Sequence, residues 1–479
     1  MIAWLPRLKN AARVLLIGAG IALFAWFPFH LYDRLERGAN TLAREQVEER
    51  NAQPTLRVGV MIHPTVYFID PNGDRSGLEF DLANAFAVTR RSSVEWRVFQ
   101  NPDDARKALM RGEIDFVATG THSQGVSASE LATKTRYHES AWVLLHTPQK
   151  YRPSAFSELL PKRVVVSSRI FSHPSFAEIK RKTAGIEFVI DERNDDEALL
   201  ASVGADEIPY GIVEEDTFNA SRHFHYDTQL AFVVQPPVQR AWLFRADSLG
   251  LRDDADSFLQ RIVRDGQIAR VRDRYFGFPQ SRRATDFEIF TDRITTVLPR
   301  YRDWFKQAQE RYGIEWRLLA ALSYQESHWN ADAVSETGAR GMMQFTQDTA
   351  DRYGVDRNDP FSSIMGGARY LADLKRNNLP PRISEPDKTW LALASYNIGL
   401  AHVENARILT QRAQKNPDLW IDVRRQLLTL NRPEVAAQFK TGPCRCGMPV
   451  DFVESIRAYY DILLRNEPAH QSRLRVQSN

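Results

Sequence analysis

Between Thr55 and Phe278 the spacing of apolar residues switches repeatedly between a period of two and a helical period. "TLRVGVMI" alternates and is β-branched, which predicts a strand, and "GLEFDLANAFAV" has helical spacing. "VEWRVF" then predicts a strand, "PDDARKALMRGE" a helix and "IDFVATG" a buried strand. The alternation returns in "RVVVSS", "SFAEIKRKTAG", "IEFVI", "NDDEALLASVGAD" and "PYGIVEE", and closes with one amphipathic helix over "DSFLQRIVRDGQIARVRDRYFGF". Strands alternating with short helices predict an open α/β sheet, and two such lobes leave a cleft suited to a small ligand. After "PQSRRATDFEIF" the pattern is almost wholly helical. Helices are expected to begin near Thr291, Trp316, Thr346, Ile364, Lys388, Pro417 and Phe452, with Gly, Pro, Asn and Asp at the breaks. The fold class expected is multidomain, a bilobal α/β domain followed by an all-α domain.

The amino terminus differs from both. Arg7, Lys9 and Arg13 precede the uncharged run Val14 to Phe29, "VLLIGAGIALFAWFPF". Basic residues before an apolar run of this length suit a cytoplasmic end, so the remainder is expected to be exported. Whether the run is a cleaved leader or an uncleaved anchor stays open, and no cysteine follows it closely enough for lipid anchoring. Residues 33–54 are polar and charged and read as a spacer. Composition narrows the function classes. With 63 basic against 60 acidic residues the net charge is +3, which supplies no whole-chain field for nucleic acid. Cys444 and Cys446, the two cysteines, have no further ligands near them in sequence and read as loop thiols; no metal or cofactor is expected.

One residue breaks the helical pattern. Counting in fours from Ile314 gives Leu318, Leu322 and Glu326, and counting seven from Leu319 also lands on Glu326. A carboxylate therefore sits on the face that should be buried. Burial raises a carboxyl pKa, and an acid still protonated near neutral pH can give its proton to a leaving oxygen. Ordinary glycosidases need a second carboxylate. Glu336 and Asp332 lie in polar loop sequence, and Asp373 lies near Arg369 and Lys375, so none has a comparable setting. Spacing alone leaves two readings open: an acid catalyst, or a helix-end glutamate paired with a cation.

Four stretches, "LRVGV", "GLEFDLANAFA", "GEIDFVATG" and "DGQIARVRDRYF", make residues 55–278 resemble the periplasmic solute-binding proteins of the amino-acid-binding family. The resemblance implies two hinged lobes and a ligand cleft. Leu131 falls where that family places the arginine that clamps a ligand carboxylate, so a cell-wall fragment (a muropeptide) is expected as ligand rather than a free amino acid. The family's acidic contact falls at Glu214, which reads equally as a solvated acidic loop.

Residues from about Val297 to Tyr460 resemble the lytic transglycosylase domain related to goose-type lysozyme. The likeness rests on Glu326–Ser327, "S-x-x-GARG" from Ser335 to Gly341, "GMMQF" to Phe345, Thr349–Ala350 and "SYNIG" from Ser395 to Gly399. It implies that Glu326 is the single catalytic residue, and that Ser335, Gly341, Met343, Gln344, Tyr396 and Asn397 contact peptidoglycan glycan strands. Gln347 stands where a proline is frequent, and Phe452–Val453 where the family has tyrosine before valine. Tyr459 and Tyr460 follow as substitutes for that aromatic contact, and read at least as well as core aromatics. The order of export signal, binding domain and transglycosylase domain resembles membrane-associated murein-cleaving enzymes of Gram-negative envelopes. It implies a periplasmic site, peripheral to the outer membrane, with an inner-membrane anchor as the other arrangement.

The expected boundaries are 1–32 leader or anchor, 33–54 linker, 55–278 binding domain, 279–294 linker, 295–465 catalytic domain and 466–479 polar tail. The rival function is a ligand-sensing envelope protein with an inactive lysozyme-like domain.

Overall fold

The computed structural model describes residues 54–471 apart from 70–72, 74, 121–125, 194, 278–283 and 443–447. The expected leader or anchor, nearly all of the 33–54 spacer, and Cys444 and Cys446 lie outside the described residues. The chain divides into a small unit, Met1–Leu56 with Ala87–Glu95, and a large one, Arg57–Phe86 with Trp96–Asn479; apart from the first residues of two strands, the features below lie in the large one.

Two five-stranded sheets form the α/β part. In the first the order is Ser93–Phe99, Thr55–Met61, Phe116–Val117, Leu243–Arg245, Glu130–Ala132. In the second it is Gln229–Gln239, Glu139–His146, Gly211–Glu214, Arg163–Ser167, Glu187–Asp191. The chain leaves the first sheet after Ala132 and returns to it at Leu243, so two short crossover segments join the lobes. They are tied to each other: Thr133 N–H donates to the Trp242 carbonyl (3.0 Å) and Arg240 N–H to that of His138 (2.9 Å). Each lobe has its own apolar core, with Trp142, Phe176 and Ile212 in the second and Leu109, Val117 and Leu243 in the first. The single amphipathic helix expected before Phe278 is two helices, Leu249–Arg264 and Gln267–Phe276, because Gly266 adopts φ +72° between them.

The rest of the chain is helical. The expected 279–294 linker is wrong from Ala284 onward: a helix spans Ala284–Thr296 and buries Phe287, Phe290 and Ile294 in the helical core. Apolar residues at this spacing fasten a helix to a core rather than leave it as tether. The polar tail is likewise corrected as far as His470. Glu467 is buried and paired with Arg302, Trp316 Nε1–H donates to the Pro468 carbonyl (3.3 Å), and Gln309 Nε2–H to the His470 carbonyl (2.9 Å).

The last helix, Met448–Asn466, packs against the Glu326 helix and carries Arg457, Asp461 and Arg465 one turn apart. Arg457 pairs with Asp273 (3.0 Å) on the Gln267–Phe276 helix. Arg465 pairs with Glu197 of the second lobe and lies over the Phe224 ring. Between them burial pushes the Asp461 carboxyl up to about 7, with His223 Nε2 3.9 Å away.

Candidate active site

Glu326 lies in the last turn of the helix Trp316–Ser327. Glu315 caps the start, accepting from Arg317 N–H (2.9 Å) and Leu318 N–H (3.1 Å). Two consecutive non-glycine residues in the left-handed region, His328 (φ +54°) and Trp329 (φ +56°), turn the chain away immediately after Ser327. Such backbone is costly and persists only where surroundings impose it. Here the anchor is Trp329, buried and donating Nε1–H to the Ala320 carbonyl (2.8 Å). The helix is thereby ended one residue past the acid. Glu326 is half-buried, and burial alone pushes its carboxyl up to about 8; no charged neighbour contributes. The helix-end reading, with a paired cation, is not what the geometry gives.

The second element is the turn Gly341–Gln344. Ser323 Oγ–H (3.1 Å) and Ser327 Oγ–H (2.9 Å), one helical turn apart, both donate to the Met342 carbonyl. Met343 N–H donates to Ser363 Oγ (3.2 Å), and Tyr396 OH donates to the Met343 carbonyl (3.0 Å). Gln344, itself at φ +48°, donates Nε2–H to the carbonyls of Ala333 and Gly341 (3.0 Å each). The acid-bearing helix, the turn and the helix Asp387–Ile398 are thus one bonded unit. Tyr396 is close enough to Glu326 that, after burial, the Glu326 carboxyl is the next cause holding its phenol well above the ordinary range.

The residues expected to touch substrate divide accordingly. Tyr396 and Glu326 come together, and Asn397, which follows Tyr396 in sequence, is exposed. Ser335 is half-buried but its Oγ accepts from Ala339 N–H (3.0 Å) and so shapes its own loop. Met343 is corrected: its relative exposure is 0%, which leaves no side-chain surface for a sugar, and it packs where a Cβ on Gly367 would lie 2.4 Å from its Cε. Gly341 has a structural role that the expectation did not include. Its backbone approaches the Arg357 carbonyl, 2.1 Å from where a Cβ would stand, so the glycine is required by packing. Ser323, Ser363 and Gly367 were missed; the Ser323–Ser327 spacing of four was the available signal. Phe452 and Tyr459 are buried in the core.

Gly341→Ala should therefore cost about 3 kcal/mol or more, from backbone strain at φ +81° plus the carbonyl overlap, and should disable the turn. Gly338→Ala, with φ +80° and open space around it, should cost only about 1 kcal/mol. Urea midpoints of the two variants measure the difference, and equal midpoints would remove the packing role given to Gly341.

In the α/β part Glu214 is buried and pairs with Arg240 rather than lying in solvent, and Leu131 sits in a strand opposite Phe244. Guanidinium groups are nonetheless present in this cleft, at Arg240 and Arg169.

A bilobal α/β domain joined to a helical domain in which burial alone raises the Glu326 carboxyl to about 8 fits a class, a lytic transglycosylase carrying a solute-binding-type domain. Family models agree: "Bacterial extracellular solute-binding proteins, family 3" matches residues 56–278 and "Transglycosylase SLT domain" matches 303–419. The chain is 34% identical over 424 residues to the membrane-bound lytic murein transglycosylase F of Methylobacillus flagellatus, covering 87% of this chain and 89% of that protein. It is 37% identical over 424 residues to the protein of the same name in Thiobacillus denitrificans, covering 87% and 88%. Among solved structures, a mutant of ArgBP from T. maritima aligns at TM-score 0.41 and 18% identity, over 48% of this chain and 99% of its own. The chain belongs to the membrane-bound lytic murein transglycosylase F family.

Proposed function

We propose that this enzyme cleaves the β-1,4 bond between N-acetylmuramic acid and N-acetylglucosamine in peptidoglycan glycan strands, without water, leaving a 1,6-anhydromuramoyl end. The observation that carries this reading is the Glu326 carboxyl, raised to about 8 by burial alone. At neutral pH it holds a proton, gives it to the glycosidic oxygen as the C1–O bond breaks, and becomes a carboxylate. That carboxylate then takes the proton of the muramoyl C6 hydroxyl, whose oxygen bonds to C1. One group serves both steps, and the attacking oxygen comes from the substrate. Tyr396 does not compete as an acid, since its proton is committed to the Met343 carbonyl.

The α/β domain is read as a sensor of cell-wall fragments that regulates or positions the catalytic domain, on the periplasmic side and membrane-associated. No helix among the described residues is long and apolar enough to cross a membrane, so attachment is assigned to the apolar run at 14–29. Mass spectrometry of products from purified sacculi tests the reaction. Anhydro ends, one water lighter than reducing ends, are expected. Reducing ends alone would mean hydrolysis, and no product would leave a binding protein.

A further inference from the structure

Where the first lobe, the second lobe and the helical domain meet, they leave a cavity of about 1330 Å³. That is larger than the roughly 300–1,000 Å³ of a site for one small ligand. It lies away from the acid. Leu318 lines it, and Glu326 is eight residues further along the same helix, about 12 Å at 1.5 Å per residue. The two sides of the cavity differ. The first lobe contributes Ile62, Phe68, Ile69, Val98 and Phe99. Ile62 is 63% exposed, Ile69 60% and Val98 45%, so apolar surface stands open to water in a concave setting. The helical domain faces it with Trp390 and Tyr460, both half-buried, and with Asp461.

The charged groups of the lining are committed, with one exception. Each cation has an acid partner: Arg193 with Asp191 (2.8 Å), Arg274 with Asp81 (3.3 Å), Lys375 with Glu385 (2.9 Å), Arg457 with Asp273 (3.0 Å) and Arg465 with Glu197. None is left for an incoming carboxylate. Asp196 faces His63 (3.1 Å), Glu315 accepts from Arg317 (2.9 Å), and Asp195 caps its helix by accepting from Glu197 N–H and Ala198 N–H (3.0 Å each). The exception is Asp461. Its side chain is 32% exposed, His223 Nε2 stands 3.9 Å away, and among the described residues no hydrogen bond reaches it. Burial pushes this carboxyl up to about 7, so near neutral pH it is largely protonated and can both donate and accept. The guanidiniums of Arg457, Arg465 and Arg274 act on it and disfavour an incoming ammonium group. What fits the cavity is therefore uncharged. Hydroxyl and amide groups suit Asp461, and methyl groups and the apolar faces of sugar rings suit the isoleucine wall and the aromatic rings.

We propose that this joint cavity is a second glycan-binding site, which takes an uncharged chain of N-acetylated sugars against Asp461 and the Ile62–Val98 wall, apart from the site at Glu326. Its size admits several sugar rings, and its lining comes from both lobes and the helical domain, so a bound chain bridges all three. The inference goes beyond the cleavage reading and does not depend on it.

Calorimetry on the full chain in nanodiscs tests this with chitotetraose and cellotetraose, in a Glu326→Gln background that prevents turnover. Chitotetraose should show one more site on this parent than on its Ile62→Arg variant, in which a charge stands on the apolar wall. Ile62 is exposed, so the variant should fold, which an unchanged melting temperature checks; Val98→Lys, on the same wall, repeats the test. Asp461→Leu removes the carboxyl and should weaken the additional site by about three- to ten-fold, the range for one lost hydrogen bond. Cellotetraose has no acetamido groups and should bind that site about ten-fold or more weakly. The inference is overturned if the parent and both wall variants show the same sites with the same affinities, if Asp461→Leu leaves the additional site unchanged, or if cellotetraose binds it as well as chitotetraose. Product masses from sacculi, measured on the Ile62→Arg protein with Glu326 restored, report the cleavage reading separately. Anhydro ends without an additional site remove the joint site and leave the reaction. An additional site without anhydro ends removes the reaction and leaves the joint site.

Discussion

Glu326→Gln is expected to abolish cleavage of purified sacculi and, at the same time, to make the protein more stable. The activity loss follows from removing the one group that carries the proton, typically about 10²–10⁴-fold for general acid–base help alone. The gain in stability follows from the same burial. The carboxyl titrates near its ordinary 4.5 when unfolded and at about 8 when folded. Between those values the folded state binds the proton more tightly, so stability falls as pH rises from 4.5 to 8. Each unit is about 1.4 kcal/mol. The part of Glu326 that stays exposed reduces the full amount, which leaves about 2–3 kcal/mol at pH 7. Glutamine keeps the shape and does not titrate. Melting temperatures of both proteins from pH 4 to 9 should therefore diverge as pH rises, by several degrees above neutrality. A gap that is constant with pH would show that burial of Glu326 does not set its pKa, and wild-type turnover by the variant would remove its assigned role.

Why Glu326 was legible while its surroundings were not follows from what periodicity reports. A helical face is a local property, so a carboxylate at the fourth step from Ile314 stands out in the sequence. The alternating strands and helices that predicted the α/β lobes are local in the same way. The turn at Gly341–Gln344 is fixed by hydroxyls from three helices meeting at three backbone groups of Met342 and Met343, and no spacing within one segment encodes that meeting. Met343 and Gly341 were therefore read as substrate contacts when one is core and the other is pressed against the Arg357 carbonyl. The strands Glu139–His146 and Gln229–Gln239 were not anticipated either. The first is buried from Ser140 to His146 and shows no alternation, and the second pairs with it through several register shifts. Arg240 was invisible for a further reason. An arginine in a crossover reads as surface charge until the two lobes close over it.

Arg457→Leu is expected to cost about 3–5 kcal/mol, the range for removing one partner from a buried ionic network, whereas Arg465→Ala should cost about 1 kcal/mol or less. The two residues lie on one face of the Met448–Asn466 helix but meet different lobes in different settings. Arg457 is buried, bonded to Asp273 (3.0 Å) and Glu454 (2.8 Å), and packed over the Trp390 ring. Arg424 bonds the same two acids (3.0 and 2.8 Å), and Trp420 Nε1–H donates to Glu454 (2.9 Å). Without Arg457, Asp273 and Glu454 remain buried beside a single cation. Arg465 is 40% exposed, so water already competes for Glu197. The helix Gln267–Phe276 that bears Asp273 is itself tied to the first lobe, since Tyr275 OH donates to Asp81 (2.7 Å) and Gly77 N–H donates to Tyr275 (3.0 Å). The helical domain thus meets one lobe through a buried ionic network and the other through a partly exposed ion pair, beside which Phe224 and Tyr226 pack on the helical core, so a large difference between the two substitutions is expected. Urea midpoints of the two variants measure it. If Arg465→Ala proved as costly as Arg457→Leu, both contacts would be structural, and a lobe could not move without unfolding the joint.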